Sequence, residues 1–282
     1  MSDTAFQIQY RDEFIAGFEQ NQSLLRETVT TEAVIKGNQA VFLVADSGGA
    51  TAVTRGINGE IPARSDDLTQ NTATLQEWHD LVRKTNFNVF ASQGNQRAIM
   101  QKTSMAVVNR KIDDQIITTA NTGSVTAGAT GQTPSVTLYQ SARVLLSNAS
   151  VPWDSNVTLL CQPSFLAYLE LAPEFANANY VDVKPFGQSG GAEWRDRPLA
   201  YRWKNVLVVE HPNLPGQGTT SEKSFLYHKT AIGHAANTEG MQSPVGYDEE
   251  QAYSWARCSC DMGAVMLQNA GIVVITHNTL SS

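Results

Sequence analysis

Charge is the first thing this sequence has little of. Asp, Glu, Lys and Arg make up 17% of its 282 residues, against about 25% in ordinary soluble proteins. Thr, Ser, Asn and Gln carry much of the remaining polarity. Such a surface keeps a free monomer in solution poorly, but it suits faces covered by other copies. An excess of cations is also missing. Twenty basic residues stand against 27 acidic ones, for a net charge of −7. That argues against a dedicated nucleic-acid binder and leaves room only for local basic patches. Cysteine is scarce and odd in number, with Cys161, Cys258 and Cys260 alone. No disulfide framework follows, and a reducing compartment is the simpler setting. No apolar run approaches the ~18 residues of a membrane span. The opening MSDTAFQIQYRDEF lacks a basic-then-apolar layout, so no signal peptide is expected. The sequons at Asn21, Asn148 and Asn156 then read as chance matches.

Apolar residues, at 41%, are plentiful enough for a core. A chain of about 300 residues buries roughly three quarters of its unfolded surface, in one large domain or two modest ones. Tyr10, Phe14, Phe18 and Leu25 fall on one face of a short helix over 10–25. This is either the first helix of a core or an arm that packs on a neighbouring subunit. TVTTEAVIKGNQAVFLVAD, from 28, is β-branched and predicts strands. A glycine-rich loop follows, in which Val53, Ile57 and Ile61 are the only large aliphatics from Ala50 to Asp67. It is too thin in apolar residues to bury itself, so it should lie over something else. A second strand-rich stretch runs through Trp78, Leu81, Val82, Phe87, Val89 and Phe90, which makes 28–90 a long hairpin.

Residues 93–120 predict a helix about 40 Å long. Its apolar stripe is Met105, Val108, Ile112 and Ile116, with Asn109, Arg110, Lys111, Asp113 and Asp114 on the other face. A loop is expected over 121–133. Thr133 and Pro134 look like the N-cap and first turn of a helix carrying Leu138, Ala142, Leu145 and Ala149. VTLLC at 157–161 reads as a buried strand, and Pro163 opens a helix with Phe165, Leu166 and Leu169. Strands are expected at 205–210 and 224–228, a short helix at 229–236, and strands at 252–260, 263–267 and 271–276.

Few motifs carry chemistry. Gly187-Gln188-Ser189-Gly190-Gly191 matches G-x-S-x-G, but no apolar strand feeds it and no long helix leaves it. A flexible glycine loop is the better reading. Cys258 and Cys260 share a strand face as small core residues, since a structural zinc site needs four ligands. His228 and His234 read as ordinary polar positions. The pairs Asp66/Asp67, Asp113/Asp114 and Glu249/Glu250 read as solvated faces. No Walker loop, GxGxxG or HExxH is present. Residues 194–204 interleave Trp194, Arg195, Arg197, Tyr201, Arg202, Trp203 and Lys204. That pattern can stack bases, but Trp, Tyr and Arg also dominate protein interfaces, and an intersubunit contact is the reading preferred.

The order of these parts resembles the major capsid proteins of tailed bacteriophages, with their Hong Kong 97-type fold. The resemblance rests on the short arm, the long two-stranded loop, the helix containing Asn109-Arg110-Lys111-Ile112-Asp113-Asp114-Gln115-Ile116-Ile117, the second helix leading through Val151-Pro152, the strand-then-Pro163 helix, the strand NVLVVEHPNLP, and the closing ARCSCDMGAVMLQNAGIVVITHN. It implies an α+β subunit with an N-terminal arm (1–27), an extended loop and its base (28–90), a peripheral domain with a spine helix (91–150), an axial domain (151–245) and return strands of the peripheral domain (246–282). It implies self-assembly into hexamers and pentamers of an icosahedral shell around double-stranded DNA. The DNA contact is loose, no membrane takes part, and the chain works in the virion after synthesis in the bacterial host cytoplasm. A portal and a separate scaffolding protein are implied partners. No enzyme activity, cofactor or metal is implied. The expected assembly contacts are Phe14, Phe18, Arg55, Arg64, Trp194, Arg197, Arg202 and Trp203. Some family members crosslink the loop through a lysine. None lies between Lys36 and Lys84 here, so no such bond is expected. An encapsulin-like nanocompartment shell and a soluble serine hydrolase using Ser189 are the alternatives.

Overall fold

The computed structural model describes residues 23–31, 33–47, 50–63, 67–85, 88, 96–173, 200–237 and 242–279. Phe14, Phe18, Arg64, Ser189 with its glycine loop, Trp194 and Arg197 lie outside the described residues. The elements in chain order are β1 (Val34–Lys36), β2 (Gln39–Asp46), β3 (Asp67–Thr74), β4 (Gln76–Thr85), α1 (Gln96–Ala120), β5 (Val125–Gly128), α2 (Val136–Asn148), β6 (Val157–Cys161), α3 (Pro163–Leu171), β7 (Ala200–Trp203), β8 (Val206–Glu210), β9 (Glu222–His228), β10 (Ile232–Ala236), β11 (Val245–Asp248), β12 (Tyr253–Met266) and β13 (Ile272–His277). The fold is α+β, as expected. The described residues fall into two compact units. The first is drawn from Met1–Leu24, Gln76–Asp113 and Ala236–Met262, and the second from Leu25–Leu75, Asp114–Ala235 and Gly263–Ser282.

In the first unit β12 pairs antiparallel with β11 and with β4, the latter from Tyr253↔Thr85 to Met262↔Gln76. Ala256, Cys258, Cys260 and Met262 alternate along β12 and are all buried, which puts both cysteines on one face as their spacing requires. Lys111, on the part of α1 in this unit, holds its ammonium 4.4 Å from the centre of the Trp78 ring. Arg83 covers the Tyr253 ring at 5.0 Å. Such cation–π contacts spend the few charges on aromatic faces.

The second unit holds a six-stranded sheet in the order β5-β13-β9-β6-β8-β7. β5/β13 and β6/β8 are parallel, and the other pairs are antiparallel. β6 is buried at every position, which explains why VTLLC is apolar without strict alternation. Its core gathers Leu138, Tyr139 and Leu146 of α2, Phe165 and Leu169 of α3, and Trp203 of β7. Pro163 occupies the first turn of α3, where a missing N–H costs nothing.

Several local expectations change. The N-cap of α2 is Ser135, whose hydroxyl accepts from Leu138 N. Pro134 therefore precedes the cap. Residues 125–128 form a strand because β13 offers them a parallel edge. The short helix expected at 229–236 is a 3-10 turn, Lys229–Ala231, followed by β10. The strands expected at 252–260 and 263–267 are one continuous β12. β13 lies in the six-stranded sheet between β5 and β9. Met105 is 40% exposed, while Val108, Ile112 and Ile116 are buried.

Candidate assembly surfaces

β2 and β3 pair antiparallel from Gln39↔Thr74 to Asp46↔Asp67. At the base of this hairpin Ala40, Phe42 and Ala73 are buried with Ala235. The Phe42 ring lies so close to Gly233 that a Cβ there would meet it at 2.9 Å. Glycine is thus needed where the hairpin is rooted. Farther out the cover ends. Leu43 is 73% and Leu68 72% exposed. Register places Leu68 opposite Ala45, two residues from Leu43, so all three share one face.

Every residue from Ala50 to Ala63 is exposed. Gly56 N donates to Glu60 O and Gly59 N to Gly56 O, both at 2.9 Å. Gly59 takes φ +80, a conformation that suits glycine. Val53, Ile57 and Ile61 stand in solvent on this tip, and Arg55 is exposed among them. Apolar side chains grouped on an uncovered segment mark a contact surface.

The remaining expected contacts divide. Arg202 is half-buried on β7. Trp203 is a correction: it is wholly buried, with its ring 4.9 Å from that of Tyr139. It has no surface to offer a neighbour. The basic-aromatic pattern misled because Lys204 and Asn205 form the β7–β8 turn at φ 49 and 65. Strand alternation then sends Trp203 inward and Arg202 outward.

Sequence reasoning missed two polar clusters. Asp113 is 1% exposed, not solvated. It accepts from Ser23 Oγ at 2.6 Å and Leu24 N at 3.0 Å, which fixes the chain where the N-terminal segment leaves. The second cluster surrounds buried Glu222. This carboxylate accepts from the Ser164 hydroxyl and from Gly218 N at 2.8 Å. His277 Nδ1 lies 3.6 Å from it and 3.0 Å from Asn278 O. His277 Nε2 lies 2.9 Å from Ser224 Oγ, which also accepts from Gln162 N. Burial lowers the His277 pKa. Ser224, His277 and Glu222 follow the order of a hydrolytic triad, but exposures of 0%, 0% and 2% leave no approach for a substrate. The cluster ties β6, β9, α3 and β13 together. His228 and His234, read as ordinary polar positions, are both buried. His228 Nε2 pairs with Asp154 Oδ1 at 3.0 Å.

Among the described residues, no three His, Cys, Asp or Glu side chains are grouped to hold a metal. No helix there is long and apolar enough to cross a membrane.

The two α+β units, the long helix α1 and the uncovered β2–β3 hairpin define a Hong Kong 97-type subunit. The family model for phage capsid proteins matches residues 2–279, and the chain belongs to that family. Solved structures agree in fold. The capsid of Ralstonia phage GP4 superposes with a TM-score of 0.73 at 9% identity, over 99% of this chain and 97% of that one. A chain of Mycobacterium phage Che8 gives 0.71 at 16% identity, over 98% of each. The cyanophage Pam1 capsid gives 0.71 at 12% identity, over 100% and 99%. No curated protein is detectably similar in sequence. The chain is a phage capsid protein, a structural component of the virion and not an enzyme. That sets aside the Ser189 hydrolase.

Proposed function

We propose that the chain assembles into hexamers and pentamers of an icosahedral head that encloses double-stranded DNA. The observation that carries this is the hairpin tip: Val53, Ile57 and Ile61 are exposed on a segment too thin to cover them. Draping that tip on a neighbour removes their surface from water, at about 25 cal/mol per Å². Repeated in every subunit, such a contact knits capsomers into a closed sheet.

Residues 1–27 act as an arm on another neighbour, 28–90 as the extended loop, and 91–150 as the peripheral domain with its spine helix. Residues 151–245 surround the capsomer axis, and 246–282 return to the peripheral domain. Phe14, Phe18, Arg55, Arg64, Trp194, Arg197 and Arg202 remain the proposed contacts. A separate scaffolding protein and a portal complete the assembly. A net charge of −7 fits an inner surface that tolerates packed phosphate without binding it tightly.

Electron microscopy of the purified protein tests the shell: uniform polyhedral particles are expected, and monomers at every concentration would overturn it. Nuclease-protected DNA inside particles from infected cells separates a phage head from an encapsulin-like compartment, which would carry protein cargo instead.

A further inference from the structure

The tip of the β2–β3 hairpin carries a dipeptide with chemistry of its own. Asn58 is the only asparagine of the chain followed by glycine. Asn58 and Gly59 are exposed, as is every residue around them from Ala50 to Ala63. Among the described residues nothing holds the Asn58 side chain. Gly59 takes φ +80, and the space where a Cβ would stand on it is empty to 4 Å. Its N–H donates to Gly56 O at 2.9 Å.

An asparagine amide beside a glycine nitrogen can react within the chain. The Gly59 nitrogen gives its proton to solvent hydroxide and attacks Cγ of Asn58. A succinimide ring closes, and the side-chain nitrogen takes a proton from water and leaves as ammonia. Water then opens the ring at either carbonyl, which yields aspartate or isoaspartate. The balance is one water consumed and one ammonia released, with no oxidation or reduction. Glycine favours the attack because no Cβ obstructs it and its backbone turns freely. The Gly59–Gly56 hydrogen bond has to open first, which an exposed turn with no buried contacts does readily.

The product changes the tip. Between Ala50 and Ala63 the charges of Arg55 and Glu60 cancel. A new carboxylate makes the segment negative among exposed Val53, Ile57 and Ile61. Moving a carboxylate from water into an apolar contact is unfavourable, and isoaspartate also lengthens the backbone inside the turn. We propose that Asn58 is a self-modification site of the unassembled subunit: conversion at Asn58-Gly59 spoils the tip for docking, and docking holds the turn closed and stops conversion. The protection rests on the shell reading, whereas the reactivity does not.

Peptide mapping by mass spectrometry tests it. Full-length subunits kept dilute, and particles in the same mildly alkaline buffer, are sampled over several days. Cleavage at Arg55 and Arg64 isolates residues 56–64. In free subunits this peptide should exchange its amide for a carboxyl before any other asparagine peptide does, and faster as pH rises. In particles the reaction should be about tenfold slower, since only a transiently released tip reacts. An unchanged Asn58 in free subunits would overturn the site. Equal rates in free subunits and particles would overturn the protection and leave the shell intact. If no particles form, the shell reading falls while the free-subunit reaction still decides the site. As a second readout, Asn58→Asp should cut particle yield about tenfold with the subunit's Tm unchanged, and Asn58→Gln should keep full yield without converting. Full yield from Asn58→Asp would overturn the effect on docking.

Discussion

Trp203 and Arg202 are neighbours in sequence with opposite fates. Trp203 fills the core of the second unit between α2 and the sheet, so Trp203→Ala should cost about 3–5 kcal/mol. Thermal unfolding of the unassembled subunit would register it as a large drop in Tm. Arg202→Ala should leave Tm nearly unchanged, since half-exposed positions away from special features move stability little. Two further residues set an acid limit. The Asp154 carboxyl is held down at about 2, first by the Asn156 side chain and then by His228. Its folded pKa lies below the unfolded value of 3.8, so its contribution is whole above about pH 4 and fades as pH falls toward 2. His277 is lowered from 6.5 by burial. The unfolded chain takes up that proton more readily, so this stability is complete above pH 6.5 and declines as pH drops below it. Tm measured against pH should therefore fall in two stages. Asp154→Asn should flatten the lower stage and His277→Gln the upper one. A flat profile from pH 7 to 3 would contradict both assignments.

The β2–β3 hairpin combines a fixed root with a bare tip. Phe42 on Gly233 and the small residues Ala40, Ala73 and Ala235 lock the base, while residues 50–63 bury nothing in the subunit. Removing 47–64 should thus leave the subunit folded, with circular dichroism and Tm close to the parent, yet unable to form closed shells by electron microscopy. Normal shells from that deletion would take the loop out of assembly. Strands, helices and the apolar run of β6 were readable in the sequence because period and composition report local burial. β5 was not, because the uncharged loop from which it forms becomes a strand only beside β13. The 3-10 turn at Lys229–Ala231 escaped for the same reason: His228 Nδ1 accepts from Thr230 N, a detail that no hydrophobic pattern carries.

For the molecule as a whole, scarcity of charge becomes a statement about assembly. Exposed Leu43, Leu68, Val53, Ile57 and Ile61 point to contacts driven by apolar burial rather than ion pairs. Screening shortens the reach of charge from about 10 Å at 0.1 M salt to about 3 Å at 1 M, but it leaves hydrophobic association in place. Shell formation followed by light scattering should persist across that range. Dissociation at high salt would show that the few charges, Arg55 among them, carry the contacts instead.

Read alone, the sequence determined the class of this protein. The order of arm, long loop, spine helix and strand-Pro-helix follows from periodicity, β-branching, glycine and proline, all of which act within a few residues. Tertiary structure decided which polar groups went inside. Asp113 belongs to a charged run on α1, and the return of Ser23 and Leu24 to that helix helps offset its burial. Glu222 and Ser224 share one face of β9, and His277 lies far along the chain on β13, opposite Glu222. The meeting of β9, β13 and the start of α3, with Gly218 N, supplies the partners that offset their desolvation.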